Sequence, residues 1–350
     1  MLIMAGGTGG HVFPALAVAD ELRGRGCEVH WLGTRRGIEA RLVPERGYPI
    51  HFVKVSGLRG VGIRARLRGL LALAAAGIQA FAIVRRLRPR VVLGFGGYAT
   101  GPGGIAARLL GVPLVVHEQN AIAGTTNRLL ARVANLVLDA FPGVLPGARL
   151  CGNPVRPAIA ALAAAPAQRR HSGAPHLLVL GGSLGARALN TLLPAALALL
   201  PPESRPVVRH QCGEAHVEAA RAAYRAAGVT AEVLPFIADM AEAYGWADFA
   251  VCRAGALTVS ELAAAGLPAI LVPFPHAIDD HQYHNARWLA DAGAALVFRE
   301  AGLDAGQLAE AIAGLATDAG RRAAMAAQAR ARALPDAAAA VAAACLEVAR

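Results

Sequence analysis

The chain has 350 residues, 55% hydrophobic and only 5% aromatic, and its formal net charge of +11 is carried almost wholly by arginine, Lys54 being the single lysine. That length holds two domains, each with its own core, and so few aromatics argue against a nucleic-acid binder, which interleaves basic with aromatic side chains. Five scattered cysteines (Cys27, Cys151, Cys212, Cys252 and Cys345), none in a CxxC pair, argue against a disulfide framework and a zinc site.

Mean hydropathy is positive, so a membrane span has to be considered. The best candidate, Gly69 to Val84, contains Gln79 and two glycines and is bracketed by Arg68 and Arg85-Arg86. A spanning helix needs about 20 apolar residues, and this stretch reads as a surface or core helix. The chain enters a strand and a glycine loop at once, so no secretory leader and a cytoplasmic location are expected.

In chain order, residues 1–35 read as strand (Leu2 to Ala5), loop (Gly6 to His11), helix (Val12 to Gly26) and strand (Cys27 to Gly33), with Gly24 and Gly26 ending the helix. Strands are predicted at Ile50–Val55, Val91–Gly94, Leu114–His117 and Leu136–Leu138, with helices between several of them. Alternating strands and helices predict a parallel sheet covered on both faces. The pattern breaks after Cys151-Gly-Asn-Pro-Val-Arg156-Pro157, and the proline-punctuated stretch that follows reads as an interdomain connection. The theme then repeats: strand His176 to Leu180, loop Gly181-Gly182-Ser183-Leu184-Gly185-Ala186, and a helix from Arg187 to Leu200. Strands follow at 207–211, 232–236, 249–253, 268–274 and 294–298, with a helix from about Leu257 to Ala265. A last helix starts near Pro335-Asp336. The expected domains are 1–157, 158–334, and a C-terminal helix, 335–350, packing back on the first.

A glycine loop between strand and helix lets backbone amides and the positive helix end approach a phosphate. Neither loop is a dinucleotide GxGxxG with a ribose acid beyond it, and the absence of a loop lysine excludes GxxxxGK[ST]. A third cluster, Gly94 to Gly104, holds enough glycine to imply close approach of a ligand or another loop. The most specific stretch runs from Cys252 through Arg253-Ala-Gly255-Ala256-Leu257-Thr258-Val259-Ser260-Glu261 to Gly266-Leu-Pro268, then Asp279-Asp-His281-Gln282-Tyr-His-Asn285-Ala286. Amides of 255–258 suit a diphosphate. Glu261 suits a ribose diol, although a carboxylate one turn into a helix is also favourable by itself. Gln282, both donor and acceptor, suits sugar hydroxyls.

The run GALTVSE, GLP and HQxxNA resembles the nucleotide-sugar signature of glycosyltransferases with two Rossmann-like domains whose parallel sheets face each other across a cleft, the GT-B architecture of family 28. GGTGGH, GFGGYATGPGG, HEQN, GNPVR and GGSLGA, in both halves and in the family's order, are similar to its peptidoglycan-synthesis branch. The resemblance covers about residue 2 to at least residue 300. It implies transfer of N-acetylglucosamine from UDP-N-acetylglucosamine to the C4 hydroxyl of undecaprenyl-diphosphoryl-N-acetylmuramyl-pentapeptide (lipid I to lipid II), with inversion and without a cofactor or metal. It places Thr8, Gly9, Gly10 and Asn120 near the transferred sugar and the acceptor, and Arg156 and Ser183 on the diphosphate. It places Ile237 at the uracil, Ala256 through Glu261 on phosphate and ribose, and Gln282 on the donor sugar. His281 stands where some relatives have glutamine, and Ala254 where some have serine, which leaves the sugar contact at 281 open.

The reaction needs a base for the hydroxyl proton, stabilisation of charge on the departing UDP, and orientation of both substrates. His11 is the first candidate base, because an ordinary imidazole titrates near ~6.5; capping or phosphate contact is its other reading. Glu118 is the rival base, or else holds loop geometry, while His117 is expected to orient. Residues 59–90 interleave eight arginines with Leu67, Leu70, Leu71, Leu73, Ile78, Phe81 and Ile83. They read either as a core stripe with a solvated basic face or as a basic-rimmed apolar patch for an anionic membrane surface. The resemblance favours the second, on the cytoplasmic face of the inner membrane, with other cell-wall synthesis and division proteins as expected partners. A dinucleotide oxidoreductase lacks its fingerprint here. A UDP-sugar epimerase or a diacylglycerol glycosyltransferase is the nearer alternative.

Overall fold

The computed structural model describes residues 1–55, 63–164, 173–182 and 185–349, the side chains of 63–70 excepted. The chain divides into two compact units, residues 1–156 with 336–350, and residues 157–335.

The first unit is built from β1 (Leu2–Met4), α1 (Gly9–Gly24), β2 (His30–Gly33), α2 (Glu39–Glu45), β3 (Ile50–Phe52), α3 (Ile63–Leu87), β4 (Val92–Gly94), α4 (Thr100–Leu109), β5 (Leu114–Glu118), α5 (Thr125–Leu130), β6 (Leu136–Asp139) and β7 (Arg149–Leu150). Its strands pair in parallel in the order β3-β2-β1-β4-β5-β6-β7. Leu2, Ile3 and Met4 have no exposed surface, as expected of a strand covered by helices on both faces. Each such side chain contributes on the order of 2 kcal/mol by leaving water. α1 ends at Gly24, and Gly26 takes φ +78° just beyond it, a left-handed exit that suits glycine.

The second unit runs α6 (Pro157–Ala160), β8 (His176–Leu180), α7 (Arg187–Ala198), β9 (Val207–Gln211), α8 (Val217–Ala226), β10 (Glu232–Leu234), α9 (Met240–Trp246), β11 (Phe249–Cys252), α10 (Ala256–Ala265), β12 (Ala269–Leu271), α11 (His281–Ala290), β13 (Ala295–Val297), α12 (Ala305–Thr317) and α13 (Ala319–Arg332). Its parallel order is β10-β9-β8-β11-β12-β13. The final helix, α14 (Ala337–Val348), belongs to the first unit. There Val341, Ala344 and Cys345 join the core built on α1, Arg25 donates to the Ala339 carbonyl, and Arg149 pairs with Glu347 at 3.0 Å.

The connection expected from Ala160 onward follows directly on α6, whose Ile159 is buried, and opens with a 3-10 turn at Ala161–Ala163. Proline in the first turn and a run of alanines favour that helix. Residues 165–172 of the same stretch lie outside the described residues.

Candidate functional site

In an open parallel sheet, ligands sit beyond the carboxyl ends of the strands where the strand order reverses. That point lies between β1 and β4 in the first unit and between β8 and β11 in the second. The loops leaving those strands are Ala5–Thr8 and Phe95–Ala99, then Gly181–Ala186 and Arg253–Gly255. Three of the four are the glycine-rich stretches of the sequence, and the fourth opens its most specific one.

In the first unit, Thr8 caps α1 with extended backbone, and its exposed side chain makes no cap bond. Gly9 and Gly10 form the first turn. The loop is held from behind by Glu39, which has no exposed surface. Glu39 Oε2 accepts from the Gly7 amide at 3.0 Å, and Oε1 accepts from the Thr34 amide and hydroxyl at 2.9 and 2.8 Å. Side chains on Gly6, Gly33 or Gly37 would collide with it.

His11, half-buried in the first turn of α1, donates from Nδ1 to the Gly6 carbonyl over 3.4 Å. A Cβ on Gly96 would lie 3.3 Å from His11 Nε2 and 3.5 Å from the Asn127 amide nitrogen. Asn127 in turn donates to Glu118 Oε2 at 2.9 Å. His11, Gly96, Asn127 and Glu118 therefore converge. Glu118, 1% exposed, also accepts from the Gly124 amide at 3.0 Å and from Asn120 through backbone and side chain at 2.9 and 3.2 Å. A carboxylate enclosed by so many donors anchors the 118–124 loop, and Asn120 stands half-buried at its turn. His117, fully buried, donates from Nε2 to the Gly152 carbonyl and accepts from Gln119 at Nδ1. Burial pushes its imidazole down to about 4, so it is neutral near pH 7. Arg156, at the end of this unit, holds its guanidinium 5.7 Å over the Phe13 ring.

In the second unit, Gln211 takes the place behind the glycine loop that Glu39 takes in the first. Its Oε1 accepts from the Gly182 amide at 3.1 Å, while its amide nitrogen donates to the Gly182 and Pro235 carbonyls. Gly185, φ +74°, is pressed against the Cys212 carbonyl. Ser183 lies outside the described residues.

α10 is preceded by Gly255, which supplies no side-chain cap, and has no acid in its first turn, leaving its amide end suited to an anion. The preceding loop is stitched to α11: Gln282 Oε1 accepts from the Ala254 and Phe274 amides at 3.3 and 3.0 Å, and Asn285 donates to the Ala254 carbonyl at 3.2 Å. Glu261 is 3% exposed and accepts at Oε2 from the hydroxyl of buried Tyr244 at 3.0 Å. Ala256 is buried and Val259 has no exposed surface, so neither side chain is open to solvent, whereas Leu257 and Thr258 are half-buried. Ser260 donates to the Ala256 carbonyl within the helix. Ile237 is buried between exposed Phe236 and Ala238 on the loop after β10. His281 Nδ1 donates to the Ile278 carbonyl at 2.8 Å. Among the described residues, no group of His, Cys, Asp and Glu side chains converges as a metal cluster would.

Sequence reasoning missed Glu39, Gln211, Tyr244 and Asn127. Each acts across a tertiary contact, and nothing in its local pattern announces it.

Profiles of the glycosyltransferase family 28 N-terminal and C-terminal domains match residues 1–138 and 176–341. A relative from Ectopseudomonas mendocina, 56% identical over all of this chain and 99% of its own, settles the family. The chain belongs to glycosyltransferase family 28. That family 28 relative is named UDP-N-acetylglucosamine–N-acetylmuramyl-(pentapeptide) pyrophosphoryl-undecaprenol N-acetylglucosamine transferase, as is one from Pseudomonas aeruginosa, also 56% identical, with 100% and 99% of the two chains covered. The crystal structure of Acinetobacter baumannii MurG superposes with a TM-score of 0.83 at 41% identity, covering 99% of this chain and 98% of that one. The calicheamicin glycosyltransferase CalG4, 19% identical with a TM-score of 0.67 over 99% and 98% of the two chains, shares the fold. The family 28 fold here is thus of the GT-B class.

Proposed function

We propose that this chain moves N-acetylglucosamine from UDP-N-acetylglucosamine to the C4 hydroxyl of lipid-linked N-acetylmuramyl-pentapeptide, with inversion, in peptidoglycan synthesis. What carries the reading is full-length 56% identity to relatives named for that transfer.

The acceptor hydroxyl attacks the anomeric carbon as the bond to UDP breaks. His11 takes the proton: donation from Nδ1 to the Gly6 carbonyl selects the tautomer with its lone pair on Nε2. Glu118, enclosed by hydrogen-bond donors, anchors the acceptor loop, and that role suits its contacts better than the base role does. Thr8, Gly9, Gly10 and Asn120 line the acceptor side.

For the donor, amides of Ala256 to Val259 at the head of α10, with Ser260, Arg156 and Ser183, hold the diphosphate and the charge that develops on it. Glu261 takes the ribose diol, and the Ile237 backbone meets the uracil. Gln282, its carbonyl oxygen committed to two backbone amides, presents its NH₂ group to the donor sugar. Radiolabelled UDP-N-acetylglucosamine incubated with a short-chain polyprenyl-diphosphoryl-muramyl pentapeptide tests the whole reading: label should move to the lipid, and failure to move it defeats the assignment.

A lipid-linked acceptor also calls for a membrane-facing surface. α3 and α4 expose Leu71, Leu73, Ile78, Ile105 and Leu109; Arg85, Arg86 and Arg108 are exposed along the same two helices, and Arg88 is exposed just past the end of α3. No helix among the described residues is long and apolar enough to cross a membrane. This face is our proposed seat on anionic lipid at the cytoplasmic side of the inner membrane, where other cell-wall synthesis and division proteins would be its neighbours. Each arginine near the surface is worth on the order of 1 kcal/mol, so high salt should release the protein from vesicles.

A further inference from the structure

The first unit carries a second concavity on the same edge of its sheet as the glycine loops, and the reaction chemistry leaves it unused. It has a volume of about 670 Å³ and lies between the loop that follows β5 and the loop that follows β6, closed on one side by α5. Its floor is apolar, with Ile122, Ala131, Val144 and Leu145, and two arginines, Arg128 and Arg132, stand at it.

The walls are fixed in advance. On the β6 side, Asp139 Oδ2 accepts from the Val144 and Leu145 amides at 3.0 and 2.8 Å, pinning their loop to the end of the strand. On the β5 side, Glu118 holds the amides of Asn120 and Gly124, the same carboxylate that joins Asn127 beneath His11. The Arg128 guanidinium donates to the Ala123 carbonyl at 2.8 Å, tying one cation to the rim, while Arg132 is exposed. Preformed walls lower the ordering cost of binding. A pair of guanidinium groups over an apolar floor fits a short chain ending in a carboxylate, because arginine matches carboxylate geometry with two parallel hydrogen bonds.

Reach selects the occupant. Adjacent strands are about 4.8 Å apart, so the space between the β5 and β6 loops lies on the order of 5–10 Å along the sheet edge from the β4 loop, where Gly96 meets His11. Five extended residues span up to about 17 Å. We propose that this hollow seats the peptide arm of the acceptor, with Arg128 and Arg132 receiving its C-terminal carboxylate. The inference rests on the muramyl pentapeptide being the acceptor. A polyprenyl chain would also favour the apolar floor and brings a diphosphate that could meet the two cations, so the test compares acceptors that share that diphosphate and differ only at the peptide end.

Two short-chain acceptors that differ only in a free carboxylate or a carboxamide at the peptide's end provide the test, with kcat/KM measured for the wild type and for Arg132→Gln. A urea midpoint matching wild type, and undiminished transfer to the carboxamide acceptor, certify that the variant is folded. The wild type should prefer the free acid by about tenfold, the worth of one charge-assisted hydrogen bond, and Arg132→Gln should bring that ratio close to one. Equal use of both acceptors by the wild type, or an undiminished ratio in the variant, overturns the proposal. So does a loss in the variant that follows prenyl length rather than the peptide end, which would assign the hollow to lipid. Transfer to neither acceptor by the wild type would fail the reaction assignment itself, an outcome separate from loss of the acid preference alone.

Discussion

Gly97 is packed onto Gly6: its φ is +86°, and a Cβ placed on it would collide with the Gly6 carbonyl oxygen. The loops after β1 and β4 thus touch backbone to backbone at the point where the strand order reverses, and only residues without side chains permit it. Gly97→Ala combines left-handed strain with a steric clash. It should cost about 2 kcal/mol or more and abolish most transfer, whereas UDP binding in the second unit should persist. Urea unfolding and calorimetry with UDP check the two halves of that statement.

Behind the same loop, Glu39→Ala would leave the Gly7 amide and the Thr34 amide and hydroxyl without their buried acceptor. At roughly 1 kcal/mol or more for each orphaned group, a loss of about 3 kcal/mol is expected. Glu39→Gln keeps one acceptor oxygen and should lose distinctly less. Urea midpoints of the two variants against wild type measure the difference.

Most of the architecture could be read from the residues because parallel strands between helices are written as short apolar runs: 176–180 and 207–211 are strands over the full predicted spans. The glycine loops were equally legible, since the residues that permit close approach are themselves the signal. What holds those loops was not. Nothing in the local sequence singles out Glu39, and Gln211 reads only as the last residue of a strand; their roles exist only once β1 lies beside β2 and β8 beside β9. The short helix that opens the second unit was not legible for a different reason: proline at a first helical position suits a helix as well as a break.

In the second unit, the Tyr244 hydroxyl fixes one oxygen of Glu261, the carboxylate we propose for the ribose. Tyr244→Phe removes that anchor without removing the ring. KM for UDP-N-acetylglucosamine should rise by about 5- to 20-fold, the equivalent of about 1–2 kcal/mol, with kcat changed much less. Steady-state kinetics at saturating acceptor report both values. An equal fall in kcat would instead place Tyr244 in the chemical step.

Acid should destabilise the fold through two buried histidines. His117 and His210 are both pushed down to about 4 by burial. His210 is held neutral between the Tyr224 hydroxyl, which donates to Nδ1, and the Asn190 side-chain oxygen, which accepts from Nε2. Their folded-state values lie below the unfolded value near ~6.5, so the unfolded chain takes up the protons first. The stability they hold is complete above that value and is lost as pH falls from about 6.5 towards about 4, at most about 3 kcal/mol for each. Urea midpoints measured at pH 7, 6 and 5 should fall accordingly, and His210→Gln should show a shallower fall over the same range.

The assignment depends above all on where uridine diphosphate binds. Diffraction from crystals soaked in UDP should show its phosphates on the first-turn amides of α10 and its ribose against Glu261, within the second unit. Nucleotide on the Gly6–Gly10 loop, or none in the second unit at saturating concentration, would contradict the account.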